Sequence, residues 1–141
     1  MLLRKVFKFV MDSINMDEND VKKLDILVAK ISNLPFVEAV YLFGSQINGL
    51  ARIDSDVDVS VILTDSSERN EMKIIGYGDD KFDVSVFSRM PLIIQFRIFK
   101  EGKLLFCRDL KKIDKIKWNV FKKYWDFAPF INCFYKRLLN V

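Results

Sequence analysis

The chain has 141 residues, half of them hydrophobic and thirteen of them phenylalanine, with 23 basic and 19 acidic side chains and no histidine. That length supports one hydrophobic core and excludes a separate substrate domain, so an enzyme built on it is a minimal one. The apolar content excludes extended disorder, and no glycine-rich or proline-rich linker divides the chain.

At the start, Leu2, Leu3, Val6, Phe7, Val10 and Ile14 fall at helical spacing, with Arg4, Lys5 and Lys8 beside them. The cations interrupt any secretory apolar run, and no stretch approaches bilayer-spanning length. The stripe is therefore expected to pack on the core rather than lie on a membrane surface, and the chain to reside in the cytoplasm. Asp17, Asn19 and Asp20 offer N-caps for a helix through about Ile31, with Leu24, Leu27, Val28 and Ile31 at core spacing. Pro35 excludes its continuation.

Next, VEAVYLF from Val37 to Phe43 predicts a buried strand ending at Gly44. Glycine lets the backbone approach a ligand closely, and Ser45 can offer an amide and a hydroxyl to phosphate oxygens at the start of a short helix, about 45–51. The run VDVSVIL then predicts a strand in which Asp56, Asp58 and Ser60 share one face, while Val57, Val59, Val61 and Leu63 pack on the other. Two carboxylates about 4 Å apart repel by about 4 kcal/mol at an effective dielectric constant near 20. A divalent cation offsets that repulsion, and an all-oxygen site in a chain without histidine suits Mg²⁺ or Mn²⁺ better than zinc. A third ligand is sought in FDVSVF, where Asp83, Ser85 and Phe87 alternate with Val84 and Val86. If the two strands are adjacent, Asp56, Asp58 and Asp83 form a triad able to hold one or two metal ions against a triphosphate.

The polar run 64–70 reads as a loop, and MKIIGYGDDKFDVSVF as a hairpin with its turn at Gly76–Asp80. Pro91 opens a helix that ends at Gly102, and Leu104–Cys107 follows as a short strand. From about Leu110 the chain is helical again until Pro129 kinks or divides it. The aromatics Phe127, Phe130, Phe134 and Tyr135 are expected to face the core rather than a partner. Eight cations from Lys111 to Arg137 stand against Asp114 and Asp126 alone, which reads as a solvated helix face with contact to nucleic acid or an acidic partner as the alternative. Cys107 and Cys133 are expected to be buried free thiols of a reducing compartment; a disulfide depends on bridge geometry, which the fold decides.

The stretch Gly44 to Asp58, GSQINGLARIDSDVD, resembles the signature of the DNA polymerase β nucleotidyltransferase superfamily, a Gly-Ser followed about a dozen residues later by Asp-x-Asp. Within it the chain is most similar to the minimal nucleotidyltransferases of MNT type: Gly44, Ser45, Gly49, Ala51, Arg52, Asp54, Ser55, Asp56 and Asp58 fall on matching positions. The segments MPLIIQFRIFKEGKLLFCRD and YWDFAPFINCFYKRLL extend the similarity over roughly residues 36 to 139. Gln46, Ile53 and Ser60 depart from the usual basic residue, proline and aliphatic residue. The resemblance implies an α+β fold, a polymerase-β-like core with a small mixed sheet packed by helices on one side. It divides the chain into N-terminal helices (1–34), a catalytic core (36–107) and a C-terminal helical segment (110–141). It also implies transfer of AMP from ATP to an acceptor hydroxyl, with Asp56, Asp58 and Asp83 as catalytic and metal-holding residues and Gly44, Ser45 and Ser55 as nucleotide contacts. The acceptor it points to is a tyrosine of a HEPN-type toxin in complex with this chain. With no histidine the chain cannot carry the toxin's Arg-x-His motif, so it would be the antitoxin. The alternatives are a binding-only antitoxin that keeps the fold, and a small RNA or antibiotic nucleotidyltransferase.

Overall fold

A computed structural model describes residues 16–44 and 56–138. The N-terminal stripe, the helix expected over 45–51, and the candidate contacts Ser45 and Ser55 lie outside the described residues. Among those described, the elements run α1 (Glu18–Ser32), β1 (Val37–Phe43), β2 (Val57–Leu63), α2 (Glu68–Ile75), β3 (Phe82–Val86), a 3-10 turn (Phe87–Arg89), α3 (Leu92–Glu101), β4 (Lys103–Cys107) and α4 (Leu110–Leu138).

The four strands form one mixed sheet in the order β3-β2-β1-β4. β1 pairs antiparallel with β2 and with β4, and β2 pairs parallel with β3. That parallel pair corrects the hairpin expected before Asp83. A parallel partner must re-enter at the same end of the sheet, so the chain needs a crossover. α2 supplies it: Ser67 caps the helix by accepting from the Asn70 amide at 3.3 Å, and Glu71 and Ile74, one turn apart, are the positions it buries. Residues 68–75 are thus helical, although Ile74 and Ile75 alone resemble a strand arm.

Alternation along β2 separates two cores. Val57, Val59 and Val61 face Leu24, Val28 and Ile31 of α1 and Ile74 of α2. Ile62, with Ala39 and Tyr41 of β1, faces Ile98 and Phe99 of α3 and Ile113 and Val120 of α4. Helices therefore cover both faces of the sheet, not one, because β1 and β2 carry apolar residues on both sides. β1 is buried along six of its seven positions, as a central strand demands.

Further along, α4 runs through Pro129 undivided. The proline removes an amide donor where the helix is exposed, so water can satisfy the freed carbonyl of the preceding turn. The aromatics expected in the core are outside it: Phe127, Phe130 and Phe134 are 57%, 74% and 61% exposed. Cys133 is exposed as well, and Cys107 is half-buried; both are free thiols.

Arg108, directly after β4, ties the sheet to the end of α1. Its guanidinium donates to the carbonyls of Ser32 (3.0 Å), Leu34 (3.2 Å) and Val37 (3.0 Å). Three convergent carbonyls suit a planar five-donor fork and not a single ammonium. Arg108→Ala is expected to cost on the order of 1–2 kcal/mol, read as a lower urea midpoint, with Arg108→Lys recovering less than half.

Glu38 sits in β1 where the register with β2 slips between Val37 and Ala39, and it is 1% exposed. Neither carboxyl oxygen has a hydrogen-bond partner. Glu38→Met, close in volume and without the polar atoms, is expected to raise thermal stability by about 1–3 kcal/mol, measured by calorimetric unfolding.

Candidate active site

The carboxylates come together because two strands run parallel in one register. Asp58, second in β2, pairs with Asp83, second in β3, and Ser60 pairs with Ser85 behind them. All four lie on the face that also carries Ile62, since Val57, Val59, Val61, Phe82, Val84 and Val86 occupy the opposite one. Asp56 stands immediately before β2 and is exposed, as is Asp83, while Asp58 is half-buried. Burial, then the charges of Asp83 and Asp56, hold the Asp58 carboxyl above the usual carboxylate range. The other two acids read from the sequence, Asp56 and Asp83, both act on Asp58.

β1 contributes through its last residues. Phe43 pairs with Asp58, and the next residue, Gly44, has φ +91°. A Cβ built at Gly44 would collide with Asp58 Oδ2. Glycine is needed here twice over: for the left-handed backbone and for the space the Asp58 carboxylate fills. The sequence flags the glycine as a ligand-approach residue; its contact with the acid follows only from β1 and β2 lying side by side.

Behind the acids, Met90 closes the floor. Ser60 is fully buried and its hydroxyl points to Met90 Sδ at 3.6 Å, while Ser85 Oγ donates to the Val59 carbonyl at 3.3 Å. Sequence reading does not single out Met90, because nothing in its neighbourhood marks it apart from the 3-10 turn that carries it over the two serines. Arg89, next to it, points away and pairs with Glu71 at 2.7 Å. Among the described residues no lysine or arginine forms an ion pair with Asp56, Asp58 or Asp83.

The donor set is oxygen alone. Among the described residues no three carboxylate, thiol or imidazole groups are arranged to hold an ion by themselves. A partial set of carboxylates fits magnesium, which takes one or two protein carboxylates and fills its remaining positions with substrate phosphates and water. Such a cluster can concentrate cationic charge at a triphosphate.

Known proteins share this fold. A protein of Methanocaldococcus jannaschii named "Putative protein adenylyltransferase" is 27% identical over 89 residues, covering 63% of this chain and 70% of that protein. A chain from a crystal structure described as a toxin-antitoxin with AMP-PNP superposes with a TM-score of 0.64 at 18% identity, over 84% of this chain and 97% of that one. A chain from a complex of a tri-AMPylated Shewanella oneidensis HEPN toxin with an MNT antitoxin gives a TM-score of 0.60 at 17% identity, over 84% and 94% of the two chains. These structures share the polymerase-β-like fold. Residues 25–111, which span the paired acids and the glycine, match the family described as Polymerase beta, Nucleotidyltransferase, and the chain belongs to that nucleotidyltransferase family.

Proposed function

We propose that this chain transfers AMP from ATP to a tyrosine hydroxyl of a HEPN-type toxin and so acts as its antitoxin. The observation that carries the reading is the parallel register that sets Asp58 against Asp83, with Asp56 close enough to raise the Asp58 carboxyl further. Such a cluster is unstable as three bare charges and suited to a divalent cation that the triphosphate also binds. The named relative supports adenylylation of a protein, and the toxin-antitoxin chains of the same fold support the partner.

In this reading Asp56, Asp58 and Asp83 would hold Mg²⁺ or Mn²⁺. Bound there, the metal supplies charge neutralisation along the triphosphate and at the departing pyrophosphate. Gly44 and Ser45 would offer their backbone to the β- and γ-phosphates, with Ser55 as a further nucleotide contact. Asp83, exposed at the start of β3, is placed to accept the proton of the acceptor hydroxyl. The oxygen attacks the α-phosphorus, the bond to the β-phosphate oxygen breaks, and pyrophosphate leaves. Catalysis is then mostly positioning and charge neutralisation. Among the described residues no helix is long and apolar enough to cross a membrane.

The direct test is transfer of label from α-labelled ATP to the product of the neighbouring open reading frame, expected to be of HEPN type, in the presence of magnesium. Asp56→Asn with Asp58→Asn is expected to lower the rate on the order of 10³-fold or more, and chelation of the divalent ion to do the same. Undiminished labelling by the double variant would remove these acids from the mechanism. Tight binding of the toxin without labelling by the wild type would instead favour neutralisation by binding alone.

Asp58 also links activity to stability. Its folded-state pKa lies above the ordinary value, so the native state holds the proton more tightly than the unfolded chain. Stability therefore falls as pH rises from the ordinary carboxylate range through the raised value, and the ionised group remains a penalty at neutral pH. Asp58→Asn is expected to raise Tm at pH 7 while abolishing transfer, with the gain shrinking as pH falls from the raised value toward about 4 and absent below it. A lower Tm at pH 7 would contradict the like-charge account.

A further inference from the structure

α4 carries a stripe that begins in the core and ends outside it. Ile113, Val120 and Phe127 follow one another at intervals of seven, which keeps them on one helix face. Ile113 and Val120 are 2% and 6% exposed, but Phe127 is 57% exposed, so the core-facing line outruns the body it packs on. Beside it run Lys123, Phe130 and Arg137 at the same interval, placing a ring that is 74% exposed between two cations.

Where the stripe leaves the body, α4 borders an open cleft of about 300 Å³. It is lined by apolar Ile62, Phe87 and Val120 together with polar Gln95 and Asn119, and by Lys123. Such a cleft takes one apolar anchor with an acidic neighbour, and the aromatic ridge beyond it supplies the surrounding contact area. Ile62 lies on the same face of β2 as Asp58. Four residues of strand separate them, about 13 Å. The cleft and the carboxylates thus open on one side of the sheet, with Met90 over Ser60 between them.

Charge selects the occupant. Over α4, eight lysines and arginines stand against Asp114 and Asp126, so a second copy of this helix would meet like charge, and an acidic surface complements it. We infer that the cleft and the exposed stripe of α4 are the docking surface for the acceptor protein, engaged through a segment that combines an apolar anchor with acidic side chains. The inference rests on the protein-acceptor reading above. A partner anchored in the cleft holds its own hydroxyl-bearing segment within about 13 Å of Asp58, a span that four extended residues cover.

The test uses the full chain, the product of the neighbouring open reading frame, and the exposed-site variants Lys123→Glu and Phe130→Ser, with Lys123→Arg as the conservative control. The expected result is at least a tenfold rise in the complex Kd and in KM for the acceptor with both variants. kcat, Tm and affinity for a non-hydrolysable ATP analogue stay at wild-type values, and Lys123→Arg behaves as wild type. Unchanged Kd and KM overturn the assignment, as does a wild-type chain that forms no complex with that protein. A homodimer of this chain that Phe130→Ser splits, or an RNA oligonucleotide whose binding alone is lost in Lys123→Glu, assigns the surface elsewhere and overturns it too. A complex that the variants weaken, formed by a wild type that transfers no label, sinks the catalytic reading and leaves the docking surface standing.

Discussion

The site depends on parallel pairing of β2 with β3. Only a parallel register brings the second residue of each strand, Asp58 and Asp83, to the same rung, with Ser60 and Ser85 on the next rung of the same face. An antiparallel β3 would reverse its direction and carry Asp83 away from that edge. α2 exists in this position because that register requires a crossover, and its single capped turn at Ser67 and buried Ile74 suffice to hold it. The like-charge contact that results opposes folding, and the core must outweigh it. Val57, Val59 and Val61, each fully buried behind the acids, supply the opposing burial on the other face of the same strand.

Glycine and sulfur complete the surroundings by what they leave open or close. Gly44 yields its side-chain volume to Asp58 and ends β1 at a positive φ, so backbone and carboxylate approach closely. Met90 acts in the opposite sense, covering two hydroxyls that would otherwise admit water beneath the acids. The result is an acidic edge that is open outward and closed inward, which favours a charged ligand approaching from solvent.

A division of labour follows from the two faces of the sheet. α1 and α2 cover the face away from the acids and act as support, clamped through Arg108 to the end of β4. α3 and α4 share the acids' face, with Phe96 of α3 stacked on Tyr124 of α4 at 3.7 Å between ring centroids. That aromatic contact is among the last to bind α4 to the body before its exposed stretch begins at Trp125. Rigidity up to Tyr124 and exposure beyond it are properties of a presented helix rather than of a core element.

Much of this molecule is legible in the order of its residues. Alternation in VDVSVIL and FDVSV assigns both strands and puts Asp58 and Asp83 on their polar sides, because a period of two is a local property of the backbone. The spacing of Leu24, Leu27, Val28 and Ile31 likewise places α1 before any tertiary contact is considered. Tertiary structure alone decided which strands are neighbours and in which direction they run, and so turned an apparent hairpin into a helix and gathered the three acids. It also decided that helices lie on both faces of the sheet, and where the body ends. Along α4 the same heptad line is core at Val120 and surface at Phe127, and no local pattern distinguishes the two, since burial depends on what stands opposite and not on the helix itself.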